Sequence, residues 1–480
     1  MGFIWSPNRI FINQSVKMVV FVQEKFEMLR RKHPVFSFED FYIEEDSDRL
    51  VVSYEFRLAD DYVFRPQWEF LKKHRDIEYK KEEIFNRLVF NLGMVELISY
   101  WKCACSPLVR IKAGFINDEQ KEWWKRQYFL GLGEFFFVNR IDTNLDDFMK
   151  IELMAKEEPA TYNNTVFEKS GCLIPVGGGK DSVVTMELLN YRKEGNLCYM
   201  INSREISIKC ARLAGFEDDE IIIAKRSLDK TLLALNREGY LNGHTPFSAI
   251  VAFSGVLTAY LYDKEYVVLS NEASANESTV EGTQVNHQYS KSYQFEQDFI
   301  NYEKKYIGSG VHYFSLLRPF IELQIARFFA RHEKYYNVFK SCNAGSKSDI
   351  WCCNCPKCLF VFCIMSPFIE LERLTEIFGS NMLENESLIH VFNKLIGEEP
   401  EKPFECVGTR DEINAAISMA IRKWEEKGRP LPGLYRYYKE KSLYQDYKDR
   451  KASDYFSYYN EENSVPAEFV GPLKNLMLDE

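Results

Sequence analysis

The stretch LIPVGGGKDSVVTMELL, from Leu173 to Leu189, constrains the fold more than any other part of this chain. An apolar run, three successive glycines and then residues at helical spacing spell strand, tight loop and helix. Such a loop is an anion site. Glycine lets the backbone come close, and the N–H groups at the helix start carry the positive end of the helix dipole. A Walker A loop needs a glycine five positions before its Gly-Lys pair and Ser or Thr after the lysine, whereas Ile174 and Asp181 stand there. The dinucleotide fingerprint fails as well, because no glycine follows Gly179 at the required offset.

The texture around the loop predicts the fold class. Leu173–Val176, Leu197–Ile201, Ile221–Ala224 and Tyr266–Ser270 read as buried strands, with helices expected over Ser182–Tyr191, Ile206–Leu213 and Phe247–Tyr262. The expectation is an α/β, parallel, doubly wound sheet whose loops after Val176, Ile201, Ala224 and Ser270 face one crevice. Before it, DRLVVSYEFRL alternates like half of a strand pair, Glu82–Trp101 has helical spacing, and Asn117 precedes a helix over Asp118–Gly131 as a cap. These make an N-terminal α+β domain ending near Glu158 and Pro159, and a helical region with a tyrosine-rich tail closes the chain. For 480 residues the expected division is 1–165, 166–365 and 366–480.

A net charge of −10 disfavours extended nucleic acid as a partner. The longest uncharged stretch, Gly239 to Tyr262, is apolar only from Phe247 onward, too short for a membrane span, and is expected to be a buried helix. Met18–Val22 is too brief for a signal-peptide core. Twelve cysteines without such a leader point to reduced thiols and a cytoplasmic location.

Five of the twelve cysteines crowd between Cys342 and Cys358. Cys352, Cys355 and Cys358 form two overlapping Cys-x-x-Cys steps, and Cys342 supplies a fourth thiolate, with Cys353 as an extra. Four thiolates would close a tetrahedral zinc site and make it structural, since no position is left for water. A redox pair and simply buried thiols are the alternatives, and a redox pair has no use for the third and fourth cysteines.

Gly177, Gly178, Gly179, Lys180, Asp181 and Ser182 resemble the Ser-Gly-Gly-x-Asp-Ser loop of the PP-loop (HUP-like) ATP pyrophosphatases, with Gly177 in place of the first Ser. The cysteine set and the preceding RPFIELQIARFFARHEKYYNVFKSC are similar to the zinc region of the deazaguanine synthases, which share that loop. PVGGGKDS and WCCNCPKCLF, with SNEASANESTVEGTQVNHQYSKSYQFE and KPFECVGTRDE, resemble the MurL epimerase family of peptidoglycan precursor synthesis. The resemblance implies ATP and Mg²⁺ as cofactors, structural Zn²⁺, a UDP-muramoyl-dipeptide as substrate, and epimerisation of its terminal L-glutamate through an acyl adenylate. It implies that Gly177–Ser182 hold phosphates, that Asn202 and Ser203 lie near the adenosine, and that Asn271, Glu272 and Glu277 reach Mg²⁺ or substrate. Lys291 would neutralise the α-phosphate, and Cys406, His287 and Glu405 are the candidates for proton transfer. Another adenylating PP-loop enzyme, either deazaguanine-synthase-like or amide-forming, and a non-catalytic nucleotide-binding zinc protein are the competing readings.

Overall fold

The computed structural model describes residues 23–154, 168–277 and 286–478. The apolar piece Met18–Val22 and the boundary expected at Glu158 and Pro159 lie outside the described residues. Backbone contacts divide the chain into two compact units. The first comprises Met1–Glu69, Arg75–Thr165 and Lys225–Phe253, and the second Phe70–His74, Val166–Ala224 and Ser254–Glu480.

In the first unit β1 (Val35–Glu45), β2 (Arg49–Leu58), β3 (Tyr62–Phe64), β4 (Gln67–Leu71), β5 (Leu108–Ile111) and β6 (Lys150–Leu153) take the order β4-β2-β1-β5-β6, with β3 on β2. Strand β2 buries every second residue, as its alternation predicts. Asp46 Oδ1 accepts hydrogen bonds from the N–H groups of Asp48 and Arg49, both at 2.9 Å, and so closes the tight turn into β2. The helix Glu83–Trp101 lies across this sheet, and Gly93 permits the contact: a Cβ there would sit 2.5 Å from the Phe38 ring. The helix Asp118–Gly131 opens with the Asn117–Gln120 capping box, where each side chain meets the other's backbone N–H.

In the second unit β7 (Cys172–Pro175), β8 (Leu197–Ile201), β9 (Ile221–Ser227), β10 (Tyr266–Leu269) and β11 (His312–Ser315) take the order β11-β10-β7-β8-β9, and all these neighbours are parallel. The chain therefore leaves β7 in one direction, through β8 to β9, and returns on its other side as β10 and β11. The helices Lys180–Leu188 and Glu205–Leu213 follow β7 and β8, close to the predicted spans. Buried tyrosines of the tail, Tyr435, Tyr438, Tyr444, Tyr447 and Tyr455, join Trp424 and Phe469 in one core.

The fold class is α/β, and the strands expected to be parallel are parallel, but the sheet continues beyond them and as a whole is mixed. β1 pairs antiparallel with β2, β2 with β3, and β4 with the end of β9. The turns between β1, β2 and β3 are too short for the crossover that a parallel pair requires. Strand β9 also runs past the predicted Ala224, and its last residues, Lys225–Ser227, pair with Gln67–Glu69 within the first unit. The Lys225–Glu69 ion pair at 2.8 Å joins those strands. No helix among the described residues is long and apolar enough to cross a membrane.

Candidate active site

The site is built in the second unit, around the loop that follows β7. Gly178 has φ +82°, a left-handed conformation that disfavours any side chain, and a Cβ at Gly177 would meet nothing within 4 Å. Gly179 is the N-cap of the helix Lys180–Leu188 and offers no side-chain cap, so the first-turn N–H groups depend on partners from outside the helix. The loop's carbonyls are occupied. Gly177 O accepts from Arg204 Nη2 at 2.5 Å, Gly178 O from Lys340 N at 2.9 Å, and Gly179 O from Ser182 Oγ at 3.0 Å.

Lys180 is wholly buried, and its ammonium is shared between the carboxylates of Asp181 and Glu322. Burial opposes the charge on Asp181, but Lys180 outweighs it, with Lys357 and Lys291 adding to the effect, and the Asp181 carboxyl is lowered. Glu322 goes the other way: burial raises it to about 8 despite Lys180, and Asp181 and Glu272 push in the same direction. The ammonium balances the partly exposed Asp181, and the wholly buried Glu322 stays largely protonated. The backbone N–H of Glu322 donates to Glu412, whose other oxygen accepts from Thr409 N and Oγ1, both at 2.7 Å.

Opposite lies Cys406. Burial alone would raise its thiol; Lys291, whose Nζ is 3.2 Å from the sulfur, a hydrogen bond with His287, and Lys357 together lower it to about 6. Lys357 also donates to the Cys406 carbonyl. Lys291 itself is raised: burial works against its charge, and Cys406 and Glu272 outweigh burial. Arg318, fully buried, donates to the carbonyls of Glu272, at 2.7 Å, and of Lys291, and to Glu296, at 3.1 Å, so one guanidinium ties both segments together.

The remaining predicted residues are distributed around this centre. Asn202, beyond β8, has φ +47° and donates its backbone N–H to Ala224 O at 2.9 Å, with Ser203 beside it. Asn271 donates to Ser315 Oγ at 3.0 Å, and Glu277 is paired with Lys402. Glu405 accepts from Asn343, and burial, followed by the charge of Cys355, raises its carboxyl, so it faces the cysteine set as well as Cys406. Sequence reasoning missed Arg204, Arg318, Glu322, Lys357 and Glu412. The proline-led RPFIEL and the lysine inside CPKC were the only signals for three of them.

The thiols of Cys342, Cys352, Cys355 and Cys358 all lie within 4.8 Å of one another, with Cys342–Cys355 at 3.9 Å and Cys352–Cys358 at 3.8 Å. A tetrahedron of sulfurs about 2.3 Å from a zinc ion has edges of about 3.8 Å, so the four are spaced to hold such a metal. Cys353 is excluded, with φ +53° and its thiol on Phe378 O at 3.2 Å.

Comparison with known proteins completes the description. Residues 27–316 match the MurL N-terminal domain, and residues 338–440 match the MurL C-terminal domain. The chain belongs to the MurL family. A MurL relative from Xanthomonas oryzae pv. oryzae is 34% identical over 70% of this chain and 75% of its own length. One from Micromonospora sp. is 33% identical over 72% and 77%, and one from Salinispora tropica is 39% identical over 52% and 55%. All three relatives are named UDP-N-acetyl-alpha-D-muramoyl-L-alanyl-L-glutamate epimerase, and the MurL chain described here is accordingly an isomerase-type enzyme. No solved structure matches it.

Proposed function

We propose that this chain converts the terminal L-glutamate of UDP-N-acetylmuramoyl-L-alanyl-L-glutamate to D-glutamate, in an ATP-dependent reaction that releases AMP and pyrophosphate, during peptidoglycan precursor synthesis. One observation carries the reading. Lys291 and Lys357 lie against Cys406, and the same two lysines lower Asp181 of the glycine loop, so a polarised thiol and an anion-binding loop share one set of charges. The chemistry needs both. An α-proton beside an ionised carboxylate is a very weak acid, because its removal sets two negative charges side by side. ATP would supply the adenylyl group that masks the carboxylate as an acyl adenylate, so that the carbonyl can accept the charge left by the departing proton, and water then hydrolyses the adenylate to restore the carboxylate and release AMP.

The chain's own residues take the other roles. The open space at Gly177 and the left-handed Gly178 suit a phosphate against the backbone, in a PP-loop arrangement on a doubly wound sheet. Asn202 and Ser203 flank the adenosine, and Lys291 steadies charge on the phosphate and on the enolate-like carbonyl. Cys406 Sγ takes the α-proton, with the hydrogen-bonded His287 ring steadying its thiolate, and the acid that returns a proton works on the opposite face. Asn271, Glu272 and Glu277 are the proposed contacts for Mg²⁺, which supplies charge neutralisation for the phosphates. The four spaced thiols would hold a zinc ion as a structural cross-link, with Glu405 close to it. The proposed compartment is the cytoplasm, in keeping with twelve free cysteines.

The test is product analysis. With ATP, Mg²⁺ and the UDP-muramoyl-L,L-dipeptide, acid hydrolysis followed by chiral chromatography should yield D-glutamate, with AMP and pyrophosphate formed alongside. Absence of D-glutamate when AMP is released would place the chain among the other adenylating enzymes.

A further inference from the structure

The second unit contains a pocket of about 590 Å³ that none of the proposed steps uses, lined in part by Ser274, Asp411, Glu412, Arg450, Asp454 and Tyr458. Its size lies in the range of small-ligand sites. It adjoins the candidate active site through two of its walls. Glu412 accepts from the backbone N–H of Glu322, the partner of Lys180, and Ser274 Oγ lies 3.4 Å from Glu272 Oε1.

The lining selects a chemical class. Arg450 looks at first like a phosphate ligand, but its Nη1 is 2.6 Å from Asp411 Oδ1 and 2.9 Å from the Tyr455 hydroxyl, so its charge is already balanced. The exposed Asp454 then leaves the lining net negative, which repels phosphate and carboxylate alike. Glu412 is saturated by Thr409 and Glu322 and acts as wall. What remains are the Asp454 carboxylate, the Thr409 and Ser274 hydroxyls, and the ring of Tyr458. That ring is 42% exposed, while its backbone carbonyl is held by Gln324 Nε2 at 2.8 Å. A carboxylate that accepts hydroxyl hydrogens beside an anchored aromatic face suits a neutral, hydroxyl-bearing ring. The geometry points to this pocket as the subsite for the N-acetylated sugar of the substrate, with the nucleotide diphosphate lying outside it. The inference rests on the proposed substrate, whose glutamyl end belongs at Cys406 and whose sugar must lie within a dipeptide's length of it.

Two variants test it, Tyr458→Ala and Asp454→Asn, both at exposed positions away from the proton-transfer residues. The intact chain is assayed with N-acetylmuramoyl-L-alanyl-L-glutamate, which carries the sugar without the nucleotide, and with L-alanyl-L-glutamate. Each variant should raise KM for the sugar-bearing compound by about tenfold, with kcat unchanged, and leave kcat/KM for the bare dipeptide untouched. Equal losses on both compounds, or no change on either, would overturn the subsite. Saturation-transfer NMR with N-acetylmuramoyl-L-alanyl-L-glutamate separates the two readings. Contacts to the sugar protons that vanish in Tyr458→Ala, in a chain that forms no D-glutamate from the UDP-muramoyl-L,L-dipeptide, would support the pocket and overturn the proposed reaction. Turnover without such contacts would overturn the pocket alone.

Discussion

Replacing Lys291 by methionine removes the largest influence that lowers the Cys406 thiol while keeping a side chain of similar length. In the intact site that thiol is lowered to about 6 from an ordinary 9.0, so at pH 7 roughly nine-tenths of it is thiolate. Without the ammonium 3.2 Å away, burial drives it back up, opposed only by His287 and Lys357. A return to about 8 leaves roughly a tenth ionised at pH 7, and a full return to 9 leaves about a hundredth. The expected loss of thiolate is therefore ~10-fold to ~90-fold; that part of the fall in epimerisation at pH 7 is recovered as the pH rises, while the part due to the lost charge beside the phosphate and the carbonyl is not. The assay is the rate of iodoacetamide modification at the Cys406 peptide, followed by mass spectrometry from pH 5 to 10. The intact chain should show a midpoint near 6, and Lys291→Met one well above 7, with the acidic limb of the activity profile moving in step. An ordinary midpoint in the intact chain, or one that the substitution leaves in place, would refute the reasoning.

Three further outcomes follow from the same geometry. Cys358→Ser should reduce bound zinc from one ion per chain and lower the melting temperature, whereas Cys353→Ser should leave both unchanged, measured by metal analysis and thermal unfolding. Gly178→Ala, forced to φ +82° with its Cβ 3.0 Å from Ile206, should cost about 1–2 kcal/mol of stability by denaturant titration and weaken ATP binding, while Gly177→Ser should be tolerated. Glu322→Gln should unfold at nearly the denaturant concentration of the parent at pH 7, because Glu322 is raised to about 8 and is largely protonated there; Glu322→Leu, which leaves Lys180 one buried hydrogen-bond partner short but still paired with Asp181, should cost about 1–3 kcal/mol.

What could be read from the chain beforehand was what neighbouring residues decide together. The glycine loop, the Asn117 cap and the four cysteines are local patterns, and each forms the structure its spacing predicts. The loop's electrostatics were not legible, because Glu322 is 142 positions from Lys180 and the contact follows from topology rather than spacing. The same holds for the Lys291–Cys406 contact, 115 positions apart, where family resemblance named both residues but not their pairing. The parallel sheet was inferred from apolar runs, which mark buried strands without fixing their direction, so the antiparallel end of β9 came only with the structure. Arg318 was signalled only by its place in RPFIEL, which said nothing of its joining Glu272 to Lys291.

The central claim is a division of labour, in which the glycine loop activates a carboxylate and Cys406 moves the adjacent proton. Cys406→Ala in deuterated water, supplied with ATP, Mg²⁺ and the UDP-muramoyl-L,L-dipeptide, separates the two tasks. The account predicts that this variant still forms pyrophosphate but incorporates no deuterium at the glutamyl α-carbon, while the intact chain does both. Deuterium incorporation by Cys406→Ala at the rate of the intact chain, or incorporation by the intact chain without ATP, would contradict it.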